Sequence, residues 1–299
     1  MMAIGIHPAF GGWICFAYGR FWAALGGPGM WRALFGLSFL VLLGCGPEKK
    51  PEKAKAETPA LDLGQSFDQA TRSAEDPPKD APRPVDRTLT KKSAFKVVDQ
   101  VKEVWPKISL TDAAGKPRPI RVRIETSMGG IVVELRPDWA PNHVRNFLAL
   151  TRVGYFDGLR VERIAQMETP NGPRVSWLEA GCPMGDGKIP SGSIGYWLRD
   201  EKVPADAAGE GLVGACRDGP ADSGATRFFL SLQTQRAEGD DRTFFGRVVQ
   251  GMEIVRKISV RPVIVLEDEP PGSHSPETPV EILRVVEEAA DPGATLPKP

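Results

Sequence analysis

The sequence is poor in the residues that usually bind metals. It has three histidines, His7, His143 and His274, and four cysteines with no Cys-x-x-Cys pair among them. Zinc and most transition-metal sites draw their ligands from clusters of these two residue types. We therefore expect no metal site and no cofactor, and we expect His143 to face solvent.

An excess of charge of either sign is also absent. The chain contains 38 basic and 38 acidic residues, so its formal net charge is zero. Proteins dedicated to nucleic acids usually have a basic excess or a basic face. The composition therefore gives no indication of a nucleic-acid partner.

The N-terminal segment lacks an apolar run long enough to span a membrane. Its apolar run, Ala33 to Leu43, is shorter than the roughly 20 residues that a spanning helix needs. The segment has no acidic residue before Glu48, Arg32 precedes the run and Gly44 follows it. This pattern predicts a secretory signal peptide over residues 1–45, with Met30 as an alternative start.

The end of this segment, Leu42-Leu43-Gly44-Cys45, resembles the bacterial lipobox. In that motif the cysteine is lipidated on its sulfur and becomes the first residue of the mature chain. The resemblance implies a lipid anchor at Cys45 and a place in the bacterial cell envelope, facing the periplasm or the exterior. Gly46 replaces the aspartate that marks inner-membrane retention. The alternative is an uncleaved signal anchor.

Large apolar residues are scarce between the signal peptide and the domain. Residues 46–95 contain seven prolines among charged residues and alanine. Such a composition buries too little apolar surface to fold, and prolines favour an extended chain. We expect a disordered tether over 46–95, or a leader with no tuned reach. Residues 96–119 are expected to be a linker or a docking segment.

Residues 120–288 have the pattern of a mainly β domain. Arg121–Glu125 and Ile131–Leu135 predict a hairpin around a Gly-Gly turn. Pro141 and the spacing after it predict a helix that ends at Gly154, and a second helix is expected near residues 252–258. Short β-rich runs lie at 159–164, 175–181, 212–216, 227–232, 243–249 and 280–286. These elements favour a barrel with helices at its ends, followed by a disordered tail over 289–299.

Two parts of this domain resemble cyclophilins. The first part is Gly129–Leu135, Ala140–Phe147 and the turn Gly154–Gly158, and the second is Arg227–Leu230 with Phe245–Val255. The resemblance implies a closed eight-stranded antiparallel barrel capped by two helices. It also implies peptidyl-prolyl isomerase activity on proline-containing polypeptides, without a cofactor.

The resemblance places the catalytic arginine of the family at Arg163, in the strand Val161-Glu162-Arg163. An isomerase stabilises a twisted amide whose prolyl nitrogen has lost conjugation, so a fixed and permanently charged donor suits the task. Phe229 matches the phenylalanine of the proline pocket. The alternatives are an ordinary surface arginine and an ordinary core phenylalanine.

Other positions depart from the family pattern towards charge. Glu162 and Arg242 replace histidines, and Glu179 and Arg227 replace glutamines. If Glu179 holds Arg163, the guanidinium is less available, and Glu179→Gln raises activity. If Arg227 takes Glu179 instead, the same change lowers activity.

Two apolar positions also differ: Ala215 stands where the family usually has methionine, and a second pocket methionine is either replaced by Trp177 or missing. The predicted substrate-binding set is therefore Phe229, Glu179, Arg227, Trp177, Ala215 and Arg242. Cys182 and Cys216 form either a disulfide or two buried thiols, and we favour thiols. We assign no function to the loop at Pro270–His274.

The resemblance leads to one main interpretation and two alternatives. The main one is a monomeric isomerase that assists the folding of secreted or envelope proteins. The first alternative is a cyclophilin-fold module that binds proline-containing peptides with weak or no catalysis. The second is an envelope scaffold with a vestigial groove.

Overall fold

The computed structural model describes residues 63, 65–169, 172–188, 193–202, 207–233, 241–267, 269 and 272–288. The predicted signal peptide, the Cys45 lipidation site, the first part of the tether and the tail after residue 288 lie outside these residues. No helix among the described residues has the length and apolarity needed to cross a membrane.

The described chain contains four α-helices and twelve strands. The helices are α1 (Phe67–Ala70), α2 (Ala94–Val104), α3 (Pro141–Arg152) and α4 (Met252–Ser259). The strands are β1 (Thr71–Ser73), β2 (Ile120–Thr126), β3 (Gly129–Leu135), β4 (Arg160–Thr169), β5 (Gly172–Ala180), β6 (Tyr196–Leu198), β7 (Leu212–Ala215), β8 (Phe228–Ser231), β9 (Phe244–Gln250), β10 (Val263–Val265), β11 (Ser273–Pro276) and β12 (Val280–Glu287).

Eight of these strands form a closed antiparallel barrel. Their order is β4, β12, β2, β3, β9, β7, β8 and β5, and β5 pairs again with β4 to complete the ring. The strands alternate buried and partly exposed residues most regularly along β2, as a barrel with a filled interior requires. The predicted eight-stranded barrel is therefore confirmed.

Helices α3 and α4 are the two predicted helices of the barrel. Pro141 occupies the first turn of α3, where its missing N–H has no intrahelical partner to lose. Gly154 follows the helix in a left-handed conformation with φ of 64°. Val144, Phe147 and Leu148 of α3 are buried in the main core, as are Val255 and Ile258 of α4.

His143 is buried, so the expectation that it faces solvent was wrong. Its Nδ1 lies 2.7 Å from Glu201 Oε2. The same carboxylate accepts hydrogen bonds from the backbone N–H groups of Asn142 and His143 at 3.1 and 2.9 Å. These N–H groups belong to the first turn of α3 and lack intrahelical acceptors, so Glu201 caps the helix and fixes the imidazole against the barrel.

The tether predicted over 46–95 is corrected from residue 65 onward. Strand β1 pairs with β6, and α1 begins with a capping box formed by Ser66 and Gln69. The ring of Phe67 packs edge-on against Trp105 at 5.3 Å and against Tyr196 at 5.0 Å. Residues 65–95 therefore fold onto the domain.

The segment predicted over 96–119 as a linker or a docking segment contains most of helix α2, which begins at Ala94 and packs against α3. Its buried face consists of Ala94, Val97, Val98 and Val101. The guanidinium of Arg145 on α3 donates to the backbone oxygen of Gln65 at 2.8 Å. The buried apolar face of α2 favours the docking segment over the linker.

Cys182 and Cys216 are both buried as thiols, which confirms the favoured interpretation. The Cys182 Sγ lies 3.5 Å from Asp186 Oδ1. Burial raises the pKa of Cys182 to about 11 and the pKa of Cys216 well above its ordinary value. Both sulfurs are therefore protonated at neutral pH and are weak nucleophiles.

Candidate active site

Strand pairing brings three of the predicted site residues into one row across the barrel. Arg163 on β4 is opposite Glu179 on β5, and Glu179 is opposite Phe229 on β8. Phe229 is in turn opposite Gly214 on β7. Directly opposite residues on antiparallel strands present their side chains on the same face, so the barrel itself assembles these groups.

A cavity of about 440 Å³ lies over this row. Six of the seven predicted site residues line it, namely Arg163, Trp177, Glu179, Arg227, Phe229 and Arg242. The sequence interpretation missed further lining residues, which are Ala165, Gln166, Cys216, Arg217, Gly219, Gly272 and Ser273.

The seventh predicted residue is Ala215. Its side chain is buried in the main hydrophobic core and is not among the described residues that line the cavity. The pairing of β7 with β9 shifts register between Val213 and Gly214. Gly214 lies under the ring of Phe229, and the next residue along the strand points to the opposite face. A family pattern read along one strand does not reveal this orientation.

Aromatic and cationic groups form one wall of the cavity. The rings of Trp177 and Phe229 are 6.0 Å apart, and the guanidinium of Arg242 lies 4.8 Å from the first and 4.5 Å from the second. Phe244 contacts Phe229 edge-on at 5.6 Å. This wall offers apolar ring faces of the kind that accept a proline side chain, with a cation stacked on them.

Gly214 is required for this wall. A Cβ at this position would lie 2.3 Å from Cζ of Phe229. The phenylalanine ring therefore rests directly on the backbone of β7, and any side chain there would displace it.

The guanidinium of Arg163 is almost fully buried, with a side-chain exposure of 4%. Its Nη2 donates to Glu269 Oε2 at 2.9 Å and to Ser273 Oγ at 2.8 Å. Its Nη1 is 3.6 Å from Glu179 Oε2, which is an ion-pair contact beyond hydrogen-bond distance. Its Nε lacks a hydrogen-bond partner among the described residues.

Arg227, rather than Arg163, is the main partner of Glu179. Its Nη2 donates to Glu179 Oε2, and its Nη1 donates to Asp218 Oδ1 at 2.8 Å. The other carboxylate oxygen of Glu179 accepts from Trp177 Nε1 at 2.6 Å. Of the two arrangements considered for Glu179, the structure favours the one in which Arg227 takes it.

Glu162 lies beneath this network and is completely buried. Its Oε1 accepts the backbone N–H of Cys182 at 3.1 Å and lies 3.6 Å from Nε of Arg227. Burial raises the pKa of Glu162 from 4.5 to about 8, while Arg227 opposes the rise and Glu179 adds to it. Glu162 is therefore mostly protonated at pH 7, which reduces the negative charge below the two arginines.

Sequence reasoning missed two carboxylates, Asp218 and Glu269. Asp218 belongs to the network of Arg227, and Glu269 reaches Arg163 from the connection between β10 and β11. The only signal in the sequence was the acidic run Glu267-Asp268-Glu269 before Pro270. No group of three or more His, Cys, Asp or Glu residues with metal-binding geometry occurs in the described part of the chain.

Comparison with known proteins supports an assignment at the level of the family. The family model described as cyclophilin type peptidyl-prolyl cis-trans isomerase/CLD matches residues 121–287. The chain is 33% identical over 141 residues to the peptidyl-prolyl cis-trans isomerase CYP18-2 of Arabidopsis thaliana, which covers 47% of this chain and 80% of that protein. It is 32% identical over 144 residues to peptidyl-prolyl cis-trans isomerase-like 1 of Homo sapiens. That match covers 48% of this chain and 81% of the human protein.

A crystal structure of a cyclophilin type peptidyl-prolyl cis-trans isomerase from Cryptosporidium parvum is also similar. It matches with a TM-score of 0.46 and 22% identity, over 58% of this chain and 100% of that chain. The family match leaves out the docked segment that precedes β2, but it spans more than half of the sequence. The chain belongs to the cyclophilin-type peptidyl-prolyl cis-trans isomerase family.

Proposed function

We propose that this protein isomerises X–Pro bonds with Arg163 as the catalytic donor, and thereby assists the folding of secreted or envelope proteins. The barrier to rotation about a peptide bond is about 18–20 kcal/mol. The two isomers of an X–Pro bond differ by only about 0.5–1 kcal/mol. Acceleration therefore requires stabilisation of the twisted amide and neither a nucleophile nor a metal.

Arg163 is suited to this role because its guanidinium is permanently charged and fixed in place. In the twisted amide the prolyl nitrogen regains its lone pair and becomes a better hydrogen-bond acceptor. A donor aimed at that nitrogen binds the twisted state more tightly than the planar ones, which lowers the barrier. The proposal rests mainly on one observation: Arg163 and the Trp177–Phe229 wall line the same cavity.

The other charged residues position Arg163 and the Trp177–Phe229 wall. Glu179 links the indole of Trp177 to the arginine pair, which is Arg163 and Arg227. Asp218 holds Arg227 from the other side. We expect the proline ring to contact Trp177 and Phe229 while the amide faces Arg163.

The activity is tested by exchange NMR on a short X–Pro peptide with the purified full-length protein. Faster cis–trans exchange at substoichiometric protein supports the proposal. Peptide signals that shift without faster exchange would instead identify a binding module.

The binding module is the second candidate, and a specific observation favours it. Arg163 is 4% exposed and its Nη2 is occupied by Glu269 and Ser273. A guanidinium that stays in these contacts would leave a cleft that binds proline-containing peptides without turning them over. The exchange experiment separates the two candidates directly.

The place of action that we propose is the bacterial cell envelope, with the chain anchored through a lipid on Cys45. The signal-like segment and the lipobox-like Leu42–Cys45 support this proposal. Metabolic labelling with radioactive palmitate in a bacterial host tests it. Label should enter the wild type and the Cys15→Ser control, and should be lost in Cys45→Ser. Equal label in both variants would contradict the anchor. We expect the mature protein to be a monomer, which light scattering would test.

A further inference from the structure

The β10–β11 hairpin is an addition to the barrel, and it joins at the strand that bears Arg163. The closed ring uses the other eight strands of the sheet, and β11 pairs with the middle of β4. Its register places Ser273 opposite Ala165 and His274 opposite Ile164. The two residues of β4 that pair with the hairpin therefore follow Arg163 directly in the chain.

Gly272 fixes the hairpin close to β4. It has a φ of 84°, and a Cβ there would lie 2.1 Å from the backbone oxygen of Gln166. The backbone N–H of Gln166 donates to the Gly272 oxygen at 2.8 Å. Only glycine permits this approach, because any side chain would meet the backbone of β4. The proximity of the hairpin to the site is thus built into the main chain.

Two hairpin side chains use this proximity to occupy the same nitrogen of Arg163. Glu269 Oε2 and Ser273 Oγ accept from Nη2 at 2.9 and 2.8 Å. The Glu269 side chain is only 5% exposed, and that of Arg163 is 4% exposed. The guanidinium is charged with either acceptor, but the carboxylate adds a direct attraction between two opposite charges. The amide of a peptide is a neutral acceptor, so it competes with Glu269 at a disadvantage.

We propose that Glu269 is an internal ligand of Arg163 that a proline-containing peptide displaces when it binds. The hairpin thereby sets the affinity of the site for peptide. This inference rests on the proposed role of Arg163 at the prolyl amide. On displacement, Glu269 moves into water, and the N–H of Nη2 that it occupied becomes available to the peptide. Glu179 stays beside Nη1 and keeps the guanidinium oriented.

Peptide titration of the full-length protein by NMR tests the proposal, with Kd and the exchange rate at saturation measured separately. Glu269→Gln retains the shape of the side chain but removes its charge, so we expect Kd to fall about five- to tenfold. The rate at saturation should not fall. Glu267→Gln removes an exposed carboxylate from the same hairpin and is the matched control, with no change in either quantity.

Three outcomes would overturn the proposal. An unchanged Kd in Glu269→Gln would show that Glu269 does not compete with peptide. A lower rate at saturation in Glu269→Gln would show that Glu269 supports catalysis as a positioning residue instead of competing with peptide. A crystal structure of the wild type with bound peptide, in which Glu269 still contacts Arg163, would contradict displacement without relying on any variant.

A double-mutant comparison shows that the effect passes through Arg163. In an Arg163→Ala background, Glu269→Gln should leave Kd unchanged, and a further fall in Kd would refute the coupling. Failure of the isomerase proposal is distinguishable from these results. If no variant accelerates exchange but Glu269→Gln still tightens peptide binding, the internal ligand is supported while catalysis is not.

Discussion

Replacement of Glu179 by glutamine tests how the charged network supports the site. The Glu179 carboxylate serves three partners: it accepts from Trp177 Nε1 at 2.6 Å, it binds Arg227 Nη2, and it lies 3.6 Å from Arg163 Nη1. A glutamine has one acceptor oxygen and one donor group. Either the indole or the arginine pair must then face an NH₂ group.

Both orientations of the glutamine weaken the site. With its NH₂ towards Trp177, the indole donor is left without an acceptor and the proline wall loosens. With its NH₂ towards the arginines, Arg163 loses the neighbouring charge that orients it. A buried unsatisfied donor costs about 1–3 kcal/mol, so we expect a similar loss in the free energy of unfolding. We also expect kcat/KM to fall about tenfold, which corresponds to about 1.4 kcal/mol.

Exchange NMR on an X–Pro peptide measures the activity of Glu179→Gln, and urea unfolding measures its stability. Glu201→Gln is the matched control, because Glu201 accepts hydrogen bonds at the start of α3 and is not among the described residues that line the cavity. The control should lose stability and keep its activity. Unchanged or higher activity in Glu179→Gln would refute the reasoning, and higher activity would show that Glu179 restrains Arg163.

Three further changes test other parts of the structure. The pKa of Glu162 is raised to about 8 in the fold, so between about pH 4.5 and 8 the folded state holds a proton that the unfolded chain has released. The free energy of unfolding of the wild type should therefore fall by up to about 1.4 kcal/mol per pH unit across this range. Urea unfolding should show that this pH dependence is absent in Glu162→Gln. Gly214→Ala should displace Phe229 and raise the peptide Kd about tenfold, because the added Cβ falls 2.3 Å from the ring; an unchanged Kd would remove Phe229 from the site. Trp105→Ala should lower the free energy of unfolding by about 3–5 kcal/mol through the loss of a buried indole, without a change in the exchange rate; an unaltered stability would contradict the docking of residues 65–95.

The barrel was predictable because local patterns specify its elements. The alternation along Arg121–Glu125 and Ile131–Leu135 predicted the hairpin of β2 and β3. The predicted Gly-Gly turn was wrong, because Gly129 and Gly130 belong to β3 and the turn is formed by Ser127 and Met128. Pro141 and Gly154 bounded α3, since each has a conformational reason to stand at that end of a helix. The cavity residues Arg163 and Phe229 followed from their places within recognisable family segments.

The remaining features depend on contacts that local patterns do not reveal. Residues 65–95 appeared disordered by composition, yet Phe67 finds aromatic neighbours at Trp105 and Tyr196, which are distant in sequence. Glu269 meets Arg163 only because β11 pairs with β4 across about a hundred residues of chain. The loop at Pro270–His274, to which the sequence assigned no function, provides Gly272 and Ser273 to the cavity.

The central claim is that Arg163 stabilises the twisted prolyl amide, and exchange NMR of Arg163→Ala tests it most directly. Arg160→Ala is the matched control, since Arg160 lies on the same strand but is not among the described residues lining the cavity. Loss of a preorganised donor typically lowers the rate about a hundredfold or more. The account predicts that loss for Arg163→Ala and a wild-type rate for Arg160→Ala. Exchange at the wild-type rate in Arg163→Ala would contradict it.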